Sequence, residues 1–323
     1  MPSLKAIRKR ITSVKNTKKI TSAMKLVAGA RLRRAQEAIW AARPYATRMQ
    51  EVTNELAVRA DVRAIQLADL DAPLGPLADE ADAETKQIHA VRKAAKLLLH
   101  RPVEKRVAIV LLTSDRGLCG AFNSNLNRAA ERFLVDNADR LESAALNIVG
   151  RKGRDYFKRK KGVEIKREWS APQAQGPALA LAREIANTVT SDFLAGEIDA
   201  VYIVYNEFKS AISQKVQIAP LLPIAPAPVE IEDGGARIDF KYEPSVEAVL
   251  SHLVPLHLET QIYRALLESI ASEFGSKMSA MDSATRSASD MISALTLSFN
   301  RARQAAITKE LMEIIGGAEA LKE

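Results

Sequence analysis

From residue 273 to 321 an apolar side chain returns at every third or fourth position: Phe274, Met278, Met281, Ala284, Ala288, Ile292, Leu295, Phe299, Ala302 and Ala306. That spacing draws one apolar stripe along an α-helix. No proline follows Pro255, and Gly316-Gly317 is the first strong stop, which predicts a helix from about 256 to 315. Such a helix would rise roughly 90 Å at 1.5 Å per residue, well beyond the few turns of a globular helix. A single stripe on so long a rod needs a partner of similar length.

The other end of the chain supplies one. Leu4, Ile7, Ile11 and Val14 open a second stripe, which shifts phase between 17 and 21 as at a stutter. It resumes at Met24, Ala28, Leu32, Ala35, Ile39, Ala42, Ala46, Met49, Val52 and Leu56. The many alanines allow close approach, and Pro44 is tolerated with a kink or one broken hydrogen bond. The two terminal helices most simply form an antiparallel coiled coil projecting from a compact middle. The plainer alternative is an ordinary all-α core.

Composition narrows the classes. The chain has 323 residues, 47% of them hydrophobic and only 5% aromatic, enough for a core and suited to Ala- and Leu-rich packing. No run of eighteen apolar residues is present, so no membrane span is expected. The basic start resembles a transit peptide in composition, but its periodicity runs on into the long helix, so it reads as mature protein. A lone cysteine, Cys119, excludes an internal disulfide. The net charge of +8 is concentrated, since residues 1–34 carry eleven Lys or Arg and no acid. A second basic cluster, RKGRDYFKRKK at 151–161, is either a solvated helix face or a collar for acidic protein loops or anionic headgroups.

The middle alternates short apolar runs with helical patterns. Strands are expected at 106–113, 145–149, 163–169, 199–208 and 215–218, with helices at 84–99, 123–135 and 177–194. This predicts a parallel or mixed sheet covered on both faces, so the fold class is α/β with a long antiparallel coiled coil. The loop after the first strand, TSDRGLCGAFN, holds Asp115, Arg116, Gly117, Cys119 and Gly120 where a sheet nucleotide site would lie. It lacks G-x-G-x-x-G and the lysine and hydroxyl of a P-loop, so it reads as a tight strand-to-helix turn. Asp115 reads as a local ion pair with Arg116, and Cys119 has no nearby histidine to activate it. Of His89, His100, His252 and His257, only the last two are close, on different helix faces. No catalytic or metal-binding constellation emerges, and no cofactor is expected.

Three segments then carry a resemblance. IRKRITSVKNTKKITSAMKLVAGARLRRAQ, TSDRGLCGAFN and LTLSFNRARQAAITKELMEIIGGAEAL closely resemble, in that order, the gamma subunit of the bacterial F-type ATP synthase. The resemblance implies a coiled-coil shaft inside a ring of alpha and beta subunits, and a Rossmann-like foot that meets epsilon and the ring of c subunits. It implies one non-catalytic copy per complex, no bound nucleotide or nucleic acid, and a peripheral place on the cytoplasmic side of the bacterial inner membrane. The missing leader before MPSLKAIRKRI points the same way. Matched by position, Met24, Lys25, Arg303, Gln304, Thr308 and Glu310 fall where the family contacts beta. Ile307, Leu311, Ile314 and Ile315 fall on the tip that turns in the hexamer's sleeve. The segment 64–99 is longer than the usual bacterial connection, and the dithiol switch of the photosynthetic form cannot operate with Cys119 alone.

The expected organisation is an N-terminal shaft helix (1–60), a connecting excursion (61–105), an α/β foot (106–230), a connection (231–245) and a C-terminal shaft helix (246–323). A rival reading, a basic-region coiled coil for nucleic acid, predicts salt-dependent DNA binding and leaves the sheet unexplained. A sheet enzyme with a helical arm lacks its catalytic residues.

Overall fold

A computed structural model describes residues 3–59, 82–98, 104–160, 162–172, 178–224, 242–243 and 245–320. Most of the expected excursion at 61–105, the end of the proline-rich run and the connection at 231–245 lie outside these residues. Two compact units emerge: one from the first 30 residues and those from Lys277 onward, the other from Arg31 to Ser276. Helices α1 (Leu4–Arg59) and α6 (Val246–Ala320) contribute to both.

In the first unit the two helices run antiparallel. Lys18 donates to Ser289 Oγ at 3.0 Å, Thr285 to Thr21 at 2.8 Å, and Lys25 Nζ reaches Asp282 Oδ1 at 2.6 Å. Ascending numbers on one helix meet descending numbers on the other. Ala28, Met281 and Ala288 are buried between them. The expected phase shift falls where buried Thr21 hydrogen-bonds Thr285, a polar pair filling the interrupted stripe.

α6 starts at Val246, ten residues before the start given by the apolar stripe alone, and contains Pro255. A proline inside a helix loses one hydrogen bond and costs about 3 kcal/mol. Leu250, Val254 and Leu258, all buried around it, offset that cost at about 1.5–3 kcal/mol each. α1 likewise passes Pro44, which is exposed, without ending. The expected stop at Gly316-Gly317 does not end α6, which runs to Ala320.

The second unit is built on a five-stranded sheet: β1 (Arg106–Leu112), β2 (Ser143–Val149), β3 (Glu164–Trp169), β4 (Ala200–Phe208) and β5 (Gln214–Leu222), in the order β3-β2-β1-β4-β5. All neighbours are parallel except β4 and β5. Central β1 is buried from Val107 to Leu112, the mark of a strand covered on both faces. Val107, Ile109 and Leu111 pack with α3 (Phe122–Asp136) and α4 (Arg151–Phe157). Ala108, Val110 and Leu112 pack with α2 (Ala83–Leu98), α5 (Ala178–Leu194) and the first half of α6.

One buried side chain breaks this apolar pattern. Asn147 sits on β2 between Leu146 and Ile148, is fully buried, and neither amide atom has a hydrogen-bond partner among the described residues. Leaving such a group unsatisfied costs about 1–3 kcal/mol. Asn147→Val should therefore raise the urea midpoint by about 1 kcal/mol of stability; a loss of that size would show that the amide is satisfied.

Candidate functional site

In an open α/β sheet, ligands bind beyond the carboxyl ends of the strands where the winding reverses. Here β1, β2 and β3 step one way and β4 lies on the opposite side of β1, so that crevice falls beyond Leu112 and the end of β4. α6 occupies it. Ser269 Oγ donates to the Leu112 carbonyl at 3.4 Å, and Ser272 Oγ donates to the Asn206 carbonyl at 3.1 Å. Both serines are buried, and the void left beside Leu112, Thr113, Ser269 and Glu273 is about 10 Å³. That is room for about one water and none for a nucleotide.

The motif loop closes the same end of the sheet. Cys119 is 2% exposed, and its sulfur accepts from Asn123 Nδ2 at 3.1 Å. Asn123 also accepts from the Ser114 amide at 3.0 Å, tying the start of α3 back to the loop. The expected Asp115–Arg116 pair is not what forms. Asp115 instead accepts from the Arg151 amide at 2.9 Å and faces the Arg151 guanidinium at 3.9 Å, while exposed Arg116 uses its carbonyl to accept from Ser114 Oγ. Adjacent side chains on a turn diverge, so the first residue of α4 supplies the closer partner. Leu118 and Gly120 have φ of 64° and 55°, the left-handed conformation a tight turn needs.

Sequence reasoning passed over two other glycines here. Gly150 has φ 94°, and a β-carbon on it would lie 2.3 Å from the Thr113 carbonyl oxygen. One at Gly153 would lie 2.8 Å from Thr113 Oγ1. The Gly153 amide donates to that hydroxyl at 2.9 Å, so the end of β1 is locked against α4. The available signal was G-x-x-G directly after a strand.

The family-matched contact residues lie in the first unit. Met24 is half-buried. Lys25 is half-exposed and already paired with Asp282, whose carboxyl it holds below the usual range; Arg286 reaches the same carboxylate at 3.0 Å. Arg303, Gln304, Thr308 and Glu310 are exposed on α6. Ile307, Leu311, Ile314 and Ile315 are each more than half exposed. The antiparallel register brings Leu4, where α1 starts, opposite the region of Arg303, so α6 continues beyond that pairing.

Among the described residues no cluster of His, Cys, Asp or Glu is placed to hold a metal ion, and no helix is long and apolar enough to cross a membrane. In the second unit the sheet's crevice is filled by the chain's own helix α6, and in the first unit α6 pairs antiparallel with α1. The sequence model described as ATP synthase matches residues 3–321. ATP synthase gamma chains from Anaeromyxobacter sp. strain Fw109-5 and Sorangium cellulosum strain So ce56 are 49% and 48% identical, each alignment covering all of both chains. The chain belongs to the ATP synthase gamma chain family. A chain from the Euglena gracilis mitochondrial ATP synthase (OSCP/F1/c-ring) is 19% identical with a TM-score of 0.61, covering 98% of this chain and 94% of its own. One from the Tetrahymena thermophila central stalk and c-ring is 23% identical with a TM-score of 0.53, covering 82% and 99%. At these identities the likeness is one of fold.

Proposed function

We propose that the chain is the central-stalk rotor of a bacterial F-type ATP synthase. It couples proton-driven rotation of a membrane ring of c subunits to ATP synthesis at sites formed by alpha and beta subunits, and catalyses no reaction itself. The observation that carries this reading is the end of α6, where Ile307, Leu311, Met312, Ile314 and Ile315 are 51–72% exposed on a helix continuing past the start of its partner. So much apolar surface on one helix calls for an apolar sleeve. Family membership supplies the partner with that sleeve, a ring of alpha and beta subunits.

In this reading 1–60 and 246–323 are shaft helices. Residues 106–230 are the foot that meets epsilon and the c-ring, and 61–105 and 231–245 connect them. One copy serves each complex, peripheral to the inner membrane on its cytoplasmic side. The motif residues Asp115, Arg116, Gly117, Cys119 and Gly120 build the turn that closes the sheet, with no chemistry of their own.

The mechanism follows from what rotation can change. A shaft shifts a catalytic site only through contacts that differ between the site's states. Arg303, Gln304, Thr308 and Glu310, exposed on one stretch of α6, offer such contacts to each beta subunit in turn. Met24 and Lys25 offer them from α1. Lys25 arrives engaged with Asp282, so an acidic partner loop competes with a carboxylate the shaft itself provides.

Reconstitution tests the reading. The purified chain mixed with alpha and beta subunits should yield a cooperative ATPase holding one copy per hexamer. Failure to assemble, with tight salt-sensitive DNA binding by the chain alone, would favour the nucleic-acid reading. Within the assembled complex, Arg303→Leu or Gln304→Leu should lower ATP turnover about tenfold while leaving assembly intact, as expected for loss of one or two charged or polar contacts at about 1.4 kcal/mol per factor of ten. Unchanged turnover in both variants removes those contacts from the scheme.

A further inference from the structure

The contacts between α6 and the sheet fall into two physically different sets. Leu258, Ile262, Ala265, Leu266 and Ile270 join the apolar core. Burial of an apolar face sets the angle of α6 about its own axis only to within the width of that face.

The second set is directional. Ser269 donates to the Leu112 carbonyl at the end of β1, and Ser272 to the Asn206 carbonyl on β4. Ser276 donates to Gln214 Oε1 at the start of β5, and Gln214 Nε2 donates to the Ala211 carbonyl at 3.1 Å. Between these serines Gly275 lies so close to the β4–β5 turn that a β-carbon would stand 3.2 Å from the Ala211 oxygen and 3.2 Å from Gln214 Nε2. At about 100° per residue the four positions fall within an arc of about 120° around the helix, all on the side that meets the sheet end. A turn of about 30° about the axis would carry a seryl oxygen, roughly 4 Å from that axis, through about 2 Å, enough to break each bond.

We propose that Ser269, Ser272, Gly275 and Ser276 are positioning residues that index the rotational setting of α6 in the foot, so that the foot's angle becomes the shaft's angle. The crevice that takes a ligand in other doubly wound sheets here takes the chain's own helix as its keyed ligand. The proposal rests on the rotor reading and adds where torque enters the shaft.

The test uses the assembled ATP synthase with the Ser269→Ala/Ser272→Ala/Ser276→Ala chain and, separately, the Gly275→Leu chain. A probe on a cysteine introduced at exposed Lys158 reports foot angle while the catalytic hexamer is stalled. The expected result is at least a doubling of the probe's angular variance and a fall in protons pumped per ATP. ATP hydrolysis by the alpha–beta–gamma subcomplex should stay within twofold of the parent. The triple variant removes only three hydroxyls, and its urea midpoint shows whether it is folded.

A covalent rescue separates indexing from general loosening. The β-carbon position at Gly275 lies 3.4 Å from Ala211 Cα, so Ala211→Cys/Gly275→Cys is within disulfide reach. Added to the triple variant, the bridge should restore the parental variance when oxidised and not when reduced. Unchanged variance in both starting variants overturns the proposal, as does a bridged chain that stays loose. A parental chain that neither assembles nor rotates overturns the rotor reading instead.

Discussion

Gly150→Ala should lower the stability of the isolated chain by about 4 kcal/mol, the largest loss expected of any single methyl group added here. Two costs add. Gly150 has φ 94° and ψ 139°, a backbone region that is almost exclusively glycine's. Its β-carbon would also meet backbone, the Thr113 oxygen at 2.3 Å and the Thr113 carbonyl carbon at 2.6 Å. That backbone cannot yield easily, because the Thr113 amide donates to the Val149 carbonyl and the Gly150 amide donates to the Trp169 carbonyl, both at 2.8 Å.

Two other glycines calibrate the result. Gly162 has φ 81° but nothing within 4 Å of its β-carbon position, so Gly162→Ala isolates the backbone cost at about 1 kcal/mol. Gly153 lies within α4, and its β-carbon would meet the side chains of Thr113 and Ile148, which can shift. Gly153→Ala should therefore lose about 1–2 kcal/mol net of the helix propensity that alanine brings. Urea midpoints should rank Gly150→Ala well below Gly153→Ala, with Gly162→Ala mildest. A Gly150→Ala loss under 1 kcal/mol would show that the β1–α4 junction is not rigid.

How much of this was legible follows from the range of each signal. The stripes in α1 and α6 repeat every three or four residues and needed only local reading. Every stripe residue named in α6, from Phe274 to Ala306, is buried or half-buried. The strands were legible because runs such as Val107 to Leu112 are apolar on both faces. The stripe alone starts α6 too late, at about 256, because Pro255 is a local stop signal, overridden by burial of Leu250, Val254 and Leu258 against distant elements. The filling of the crevice was hidden for a similar reason. Ser269, Ser272 and Gly275 look like a small polar face of a helix until the register with Leu112 and Asn206, more than sixty residues away, is known. Asp115 pairing with Arg151 instead of Arg116 is another case where tertiary geometry replaced the sequence neighbour.

His257→Leu should leave stability at pH 7.5 within about 1 kcal/mol of the parent yet make the chain more stable than the parent by about 2 kcal/mol at pH 5. His257 is 6% exposed, its Nδ1 has no hydrogen-bond partner among the described residues, and burial lowers its pKa from 6.5 to about 4. It lines a cleft of about 230 Å³ with Tyr205, Gln261 and Arg264. Arg264 donates to Glu268 at 2.9 Å, burial pushes the Tyr205 hydroxyl up to about 12, and no carboxylate is among the described residues that line the cleft.

The sign follows from which state takes the proton first. Between pH 6.5 and 4 the unfolded chain binds a proton at His257 and the folded chain does not, so acid favours unfolding. The stability is fully present above about pH 6.5, falls as pH drops through that window, and levels off below about 4. The carboxylates held low by ion pairs, Asp282 and Glu131 among them, also lose stability as pH falls through their folded pKa. They do so equally in both proteins, so the difference between parent and variant isolates the imidazole. Paired urea titrations from pH 7.5 to 4.5 should therefore show two curves that diverge steadily below pH 6.5. Parallel curves would mean that His257 takes its proton in the folded chain, and hence that the cleft between α6 and β5 is wet enough to hold a charge.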